Sequence, residues 1–94
     1  MEQNKNIKDL LEAFIRRSSF KSQLDAERIS KTWYALFDKN IAGFTQSLSF
    51  KEGILYVRLH SAPLREELSR NKKSIIQHIN EALAEPLVED IRFL

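Results

Sequence analysis

Cysteine is absent from the chain, so neither a disulfide nor a thiolate-held metal can form, and the absence suits a reducing compartment. Glycine occurs only at Gly43 and Gly53, too few and too far apart for a phosphate-cradling loop or a dinucleotide-binding turn. The only histidines are His60 and His78, and neither stands in a nucleophile, base and orienting-group pattern. The adjacent carboxylates Glu66 and Glu67 diverge around a helix and make no acid/base pair. No apolar run is long enough to span a bilayer, and the start, Met1 to Lys8, is polar and charged, unlike a signal peptide. The expectations are a cytoplasmic protein with no catalytic residues, no metal, no cofactor, no small-molecule substrate and no membrane partner. An excess of one charge is lacking too: 15 basic residues face 13 acidic ones, for a net +2, so the placement of charge matters more than its sum.

What is present is a foldable chain. Its 94 residues, 43% hydrophobic and 30% charged, suit one compact domain over 1–94. Ile7, Leu10, Leu11, Phe14 and Ile15 recur at helical spacing, which predicts an N-terminal helix within 1–20 that ends near Ser18. A polar connection from Ser18 to Gln23 then leads to Asp25 as the N-cap of a second helix, ending near Asn40 and burying Ile29, Trp33, Leu36 and Phe37. From Phe44 the period changes to two, with Phe44, Leu48 and Phe50 on one side of a strand running to Lys51. Lys51-Glu52-Gly53 supplies a hairpin turn into a second strand, Ile54 to His60. Ser61 and Pro63 start a helix with the stripe Leu64, Leu68, Ile75, Ile76, Ile79 and Leu83, broken near Asn71 and ended by Pro86. Val88, Ile91 and Phe93 mark a terminal strand. The predicted fold is a two-layer α+β domain of order α-α-β-β-α-β, a three-stranded sheet packed by helices, with a right-handed crossover between the second and third strands.

Cations gather in three groups, Arg16, Arg17 and Lys21; Lys51 and Arg58; and Arg70, Lys72 and Lys73. Each is a candidate for contact with nucleic-acid phosphates, against the alternative of a solvated mixed surface. The last group is the sharpest, three cations in four residues without an acid. Trp33 reads as a core anchor, whereas Tyr34 and Tyr56 are candidate exposed aromatics. His78 reads as an ordinary helix residue. Glu81, Glu85, Glu89 and Asp90 form an acidic counterpart, a protein-facing or solvated edge.

Trp33, Ile41-Ala42, Thr45, Leu48, Gly53, Leu55, Val57, Ser61-Ala62, Glu67-Leu68, Ile76, Ile79-Asn80 and Asp90-Ile91-Arg92-Phe93 together resemble the DciA family pattern, carried by 22–94. The resemblance implies a K-homology-like core and a non-enzymatic adaptor in DNA replication, with DNA and the DnaB-type replicative helicase as partners. The alternative is a general binder of single-stranded nucleic acid, RNA or DNA. It also places Arg70 to Lys73 where nucleic-acid-binding K-homology domains carry a Gly-x-x-Gly loop, which this chain lacks. Asp38 stands where the family often has glycine, and Leu64 where many members have a second tryptophan. Many relatives carry a basic extension outside this domain, and any activity housed there would be missing from a chain ending at Leu94.

Overall fold

The computed structural model describes residues 7–94 and, of these, the side chains of 7–13 and 20–94. In chain order the elements are α1 (Ile7–Leu36), α2 (Lys39–Phe44), β1 (Thr45–Lys51), β2 (Ile54–Leu59), α3 (Ala62–Arg70), α4 (Lys72–Leu83) and β3 (Asp90–Phe93). This is the expected α+β architecture, with the long crossover helix divided at Asn71 as its sequence suggested.

The first helices differ from expectation. No break falls between Ser18 and Gln23, and α1 runs unbroken for 30 residues. Serine, lysine and glutamine cost less than about 0.7 kcal/mol each in a helix, and without glycine or proline nothing there stops propagation. Asp25 is therefore no N-cap. It lies mid-helix and buried, paired with Lys21 at 3.2 Å and Arg28 at 3.5 Å. Arg28 in turn reaches Glu85 at 3.0 Å and donates to the Leu83 carbonyl, tying α1 to the end of α4. The helix ending near Asn40 becomes a new one, because Asp38 caps α2 by accepting from the Ile41 amide. Phe44 closes α2 rather than opening a strand, and it is exposed.

Sheet order is β1-β2-β3, β1 antiparallel and β3 parallel to the central β2. Lys51 pairs with Ile54 across a two-residue turn whose central residues both have positive φ, Glu52 at 51° and Gly53 at 81°. Alternation gives each strand an inner set. Phe50, Leu55 and Ile91 form one row across the sheet, and Leu48, Val57 and Phe93 the next. Onto these rows pack Ile29 and Trp33 of α1, Leu68 of α3, and Ile75, Ile79 and Leu83 of α4. Trp33 is fully buried, its ring 4.3 Å from that of Phe37 and its indole N–H donating to Thr45 Oγ1 at 3.1 Å. Leu64 packs half-buried on the same core. Ser61 caps α3 by accepting from the Leu64 amide, and Asn80 holds both backbone groups of Val88 at 2.9 Å to steer the chain into β3. Among the described residues no helix covers the other sheet face, and its serines 47 and 49, Arg58 and Arg92 are exposed.

Candidate nucleic-acid interface

The sharpest cation group falls on the junction of α3 and α4. Arg70 ends α3, Asn71 breaks the helix at φ −109° and ψ 19°, and Lys72 and Lys73 open α4. Asn71 spends its side-chain amide on the Glu67 carbonyl behind it, so no side chain caps the first turn of α4. The dipole end of that helix adds to the positive field of the lysines. Ser69, Arg70, Asn71, Lys72, Lys73 and Ser74 line an open depression of about 520 Å³.

The three cations are not equivalent. Arg70 bonds Glu66 at 3.2 Å, but both side chains are largely exposed, so the pair is worth little and yields easily. Lys72 lies 3.3 Å from Asp90 Oδ1, at the start of β3. The Asp90 carboxyl is held below its ordinary range chiefly by the Ile91 backbone N–H, then by Lys72 and Arg92, with burial pulling the other way. It is thus a standing anionic competitor for Lys72. Lys73 is exposed and enters no ion pair among the described residues.

The other groups disperse. Lys21 is tied to Asp25 on α1, and the side chains of Arg16 and Arg17 lie outside those described. Lys51 and Arg58 lie on the helix-free face of the sheet, exposed and outside any ion pair among the described residues. On the same face stands Arg92, which reasoning from clusters along the chain missed because it sits alone between Ile91 and Phe93. Of the tyrosines, Tyr34 is exposed on α1 and Tyr56 is half-buried on the open sheet face. His60 is exposed just past β2. His78 has Nδ1 3.4 Å from Ser74 Oγ and lines a small apolar pocket of about 230 Å³ with Leu36, Phe37 and Ile75. Of the acidic residues, Glu85 holds Arg28 and Asp90 holds Lys72, so those two serve the fold and the junction rather than a separate edge.

Cations thus border an open depression and stand along the uncovered sheet face of a scaffold backed by helices on its other side. The model of the family described as Dna[CI] antecedent, DciA, matches residues 6–93, and the chain belongs to that family. The match covers all of α1, including the part that precedes the 22–94 region carrying the resemblance. No curated protein and no solved structure matches the chain. Family membership makes it a non-catalytic loader of the DnaB-type helicase in replication initiation. Among the described residues no helix is long and apolar enough to cross a membrane.

Proposed function

We infer that this domain serves helicase loading, in the cytoplasm, by holding DNA through its phosphates at the α3–α4 junction while α1 faces the helicase. The observation that carries the reading is the junction itself. Lys73 enters no ion pair among the described residues, Arg70 is only loosely paired, and both border an open depression at an uncapped helix start. Such contacts position a nucleic acid without reading its sequence. The Gly-x-x-Gly backbone clamp is absent, so side chains and the α4 dipole carry the binding.

The helicase side rests on α1. Leu11 lies eighteen residues, five turns, before Ile29 and therefore on the same helix face, about 27 Å further along the axis. At Ile29 that face is buried in the core, whereas Ile7, Leu10 and Leu11 are exposed. The resulting molecule is elongated, 62 × 24 × 20 Å.

The test is a salt series. Arg70→Gln/Lys72→Gln/Lys73→Gln should lower the magnitude of the slope of log affinity against log salt by roughly 2 to 3, at about 0.9 per phosphate on duplex and about 0.7 on single strands. Unchanged slopes on both DNAs would remove the junction from the interface. Leu10→Glu/Leu11→Glu should weaken binding to the purified helicase and leave DNA binding intact, and equal helicase binding would remove α1 from that role.

A further inference from the structure

We propose that the helix-free face of the sheet, centred on Tyr56, is a stacking platform for single-stranded nucleic acid, continuous with the α3–α4 junction. The proposal rests on the DNA-binding half of the reading above and adds the strandedness of the ligand and the side chain that selects it.

Strand register supplies the first argument. Ser49, Tyr56 and Arg92 share one row across the three strands, with Ser47 and Arg58 in the next row and Lys51, Ile54 and Asp90 in the row on the other side. Because Leu55, Val57, Leu59 and Ile91 are buried on the inner face, strict alternation turns all of these residues outward. Tyr56 therefore lies on the central strand with short serines toward β1, where nothing tall flanks its ring. Arg92 is its neighbour on β3. Arg58 follows two residues along β2, about 6.6 Å away at the usual strand rise.

Charge supplies the second. At the outward strand positions of this face the cations Lys51, Arg58 and Arg92 stand with the carboxylate of Asp90, which is shared between Lys72 at 3.3 Å and Arg92 at 4.0 Å. The same carboxylate thus joins the junction to the sheet. Arg70 and Lys73 border the depression, Lys72 leads from it to Asp90, and Arg92, Tyr56 and Arg58 continue across the open face. A backbone lying along this track meets cations on the way and one aromatic ring in the middle.

That combination selects a chemistry. An acidic peptide would use the cations but offers no flat face to the ring, and a duplex keeps its bases stacked on one another. A single strand offers phosphates to arginine and lysine together with a free base face to tyrosine, and it does so whatever its sequence. DNA and RNA share this chemistry.

The experiment compares the wild-type chain with Tyr56→Thr, which keeps strand propensity, and with Arg58→Gln/Arg92→Gln, which changes only exposed side chains. Each is titrated by fluorescence anisotropy with oligothymidylate, oligouridylate and a duplex of mixed sequence, after thermal melting. Tyr56→Thr is expected to lower affinity for one or both single strands by about 5- to 140-fold and leave duplex affinity unchanged. Whether thymidylate, uridylate or both respond tells DNA from RNA. The arginine pair is expected to reduce the salt slope on the same strand by roughly 1 to 1.5. Single-strand affinity unchanged in Tyr56→Thr, or an equal loss on duplex and single strands, would overturn the platform. The junction reading would survive that outcome if the triple glutamine variant still lost its salt slope. A wild-type chain that binds no nucleic acid would overturn both.

Discussion

Truncating Trp33 to alanine removes the largest fully buried side chain of the core. Its ring fills the space between α1 and the sheet, 4.3 Å from Phe37 and 6.5 Å from Phe93, and its N–H is satisfied by Thr45 Oγ1. Truncations of this kind cost about 3 to 5 kcal/mol. In a domain of this size each kcal/mol moves the melting temperature by about 4 to 8 °C, so Trp33→Ala should melt at least about 12 °C below wild type. Circular dichroism is the right assay, since the substitution removes the only tryptophan. Thr45→Val isolates the polar part: it keeps the ring and strands the buried indole N–H, for about 1 to 3 kcal/mol, and can be followed by the fluorescence of Trp33 itself. If Trp33→Ala melts within about 4 °C of wild type, the ring does not anchor α1 to the sheet and the packing described above is wrong.

Asn80→Ala orphans both backbone groups of the buried Val88 and should cost about 2 to 6 kcal/mol, at about 1 to 3 for each group, with a fall in the urea midpoint as the readout. Asp90→Asn removes the carboxylate that occupies Lys72 and Arg92, so DNA should bind more tightly and the salt slope should steepen by about 0.7 to 0.9 for each cation that gains a phosphate. The folded pKa of Asp90 lies below its unfolded value, so its contribution to stability is present above the usual 3.8 and is lost as pH falls through the folded value. Any stability gap between wild type and Asp90→Asn that arises from this charge should therefore close on acidification, as urea melts at successive pH values would record.

Elements with local signals were legible in the sequence. Ser61 with Pro63, the Lys51-Glu52-Gly53 turn, the break at Asn71 and the two-residue period through Leu48 and Phe50 of β1 each depend on neighbours within a turn or a strand, and each is realised. The helix α1 was misread for a related reason. Ser18, Ser19 and Ser22 weaken a helix without stopping it, and an aspartate followed by an apolar stripe is ambiguous between a cap and an interior position. What decides Asp25 is Arg28, which reaches Glu85 across the core's edge, a contact fifty-seven residues distant and invisible to local pattern.

The site was harder to read because its grouping follows register rather than neighbourhood along the chain. Lys72 and Lys73 are adjacent, yet one is bound to Asp90 eighteen residues on and the other enters no ion pair among the described residues. Arg92 has no basic neighbour in sequence but shares a row with Tyr56, because β3 runs parallel to β2 with Tyr56 opposite Arg92. A one-residue slip of that pairing would send Arg92 to the inner face and Ile91 outward. Buried Ile91, in a row with Leu55 and Phe50, makes the slip costly, so the core residues that hold the sheet together also fix which cation stands beside the tyrosine. Substitutions at Ile91 should consequently disturb folding before they disturb binding, whereas those at Arg92 should leave the fold intact and change only what the open face can hold.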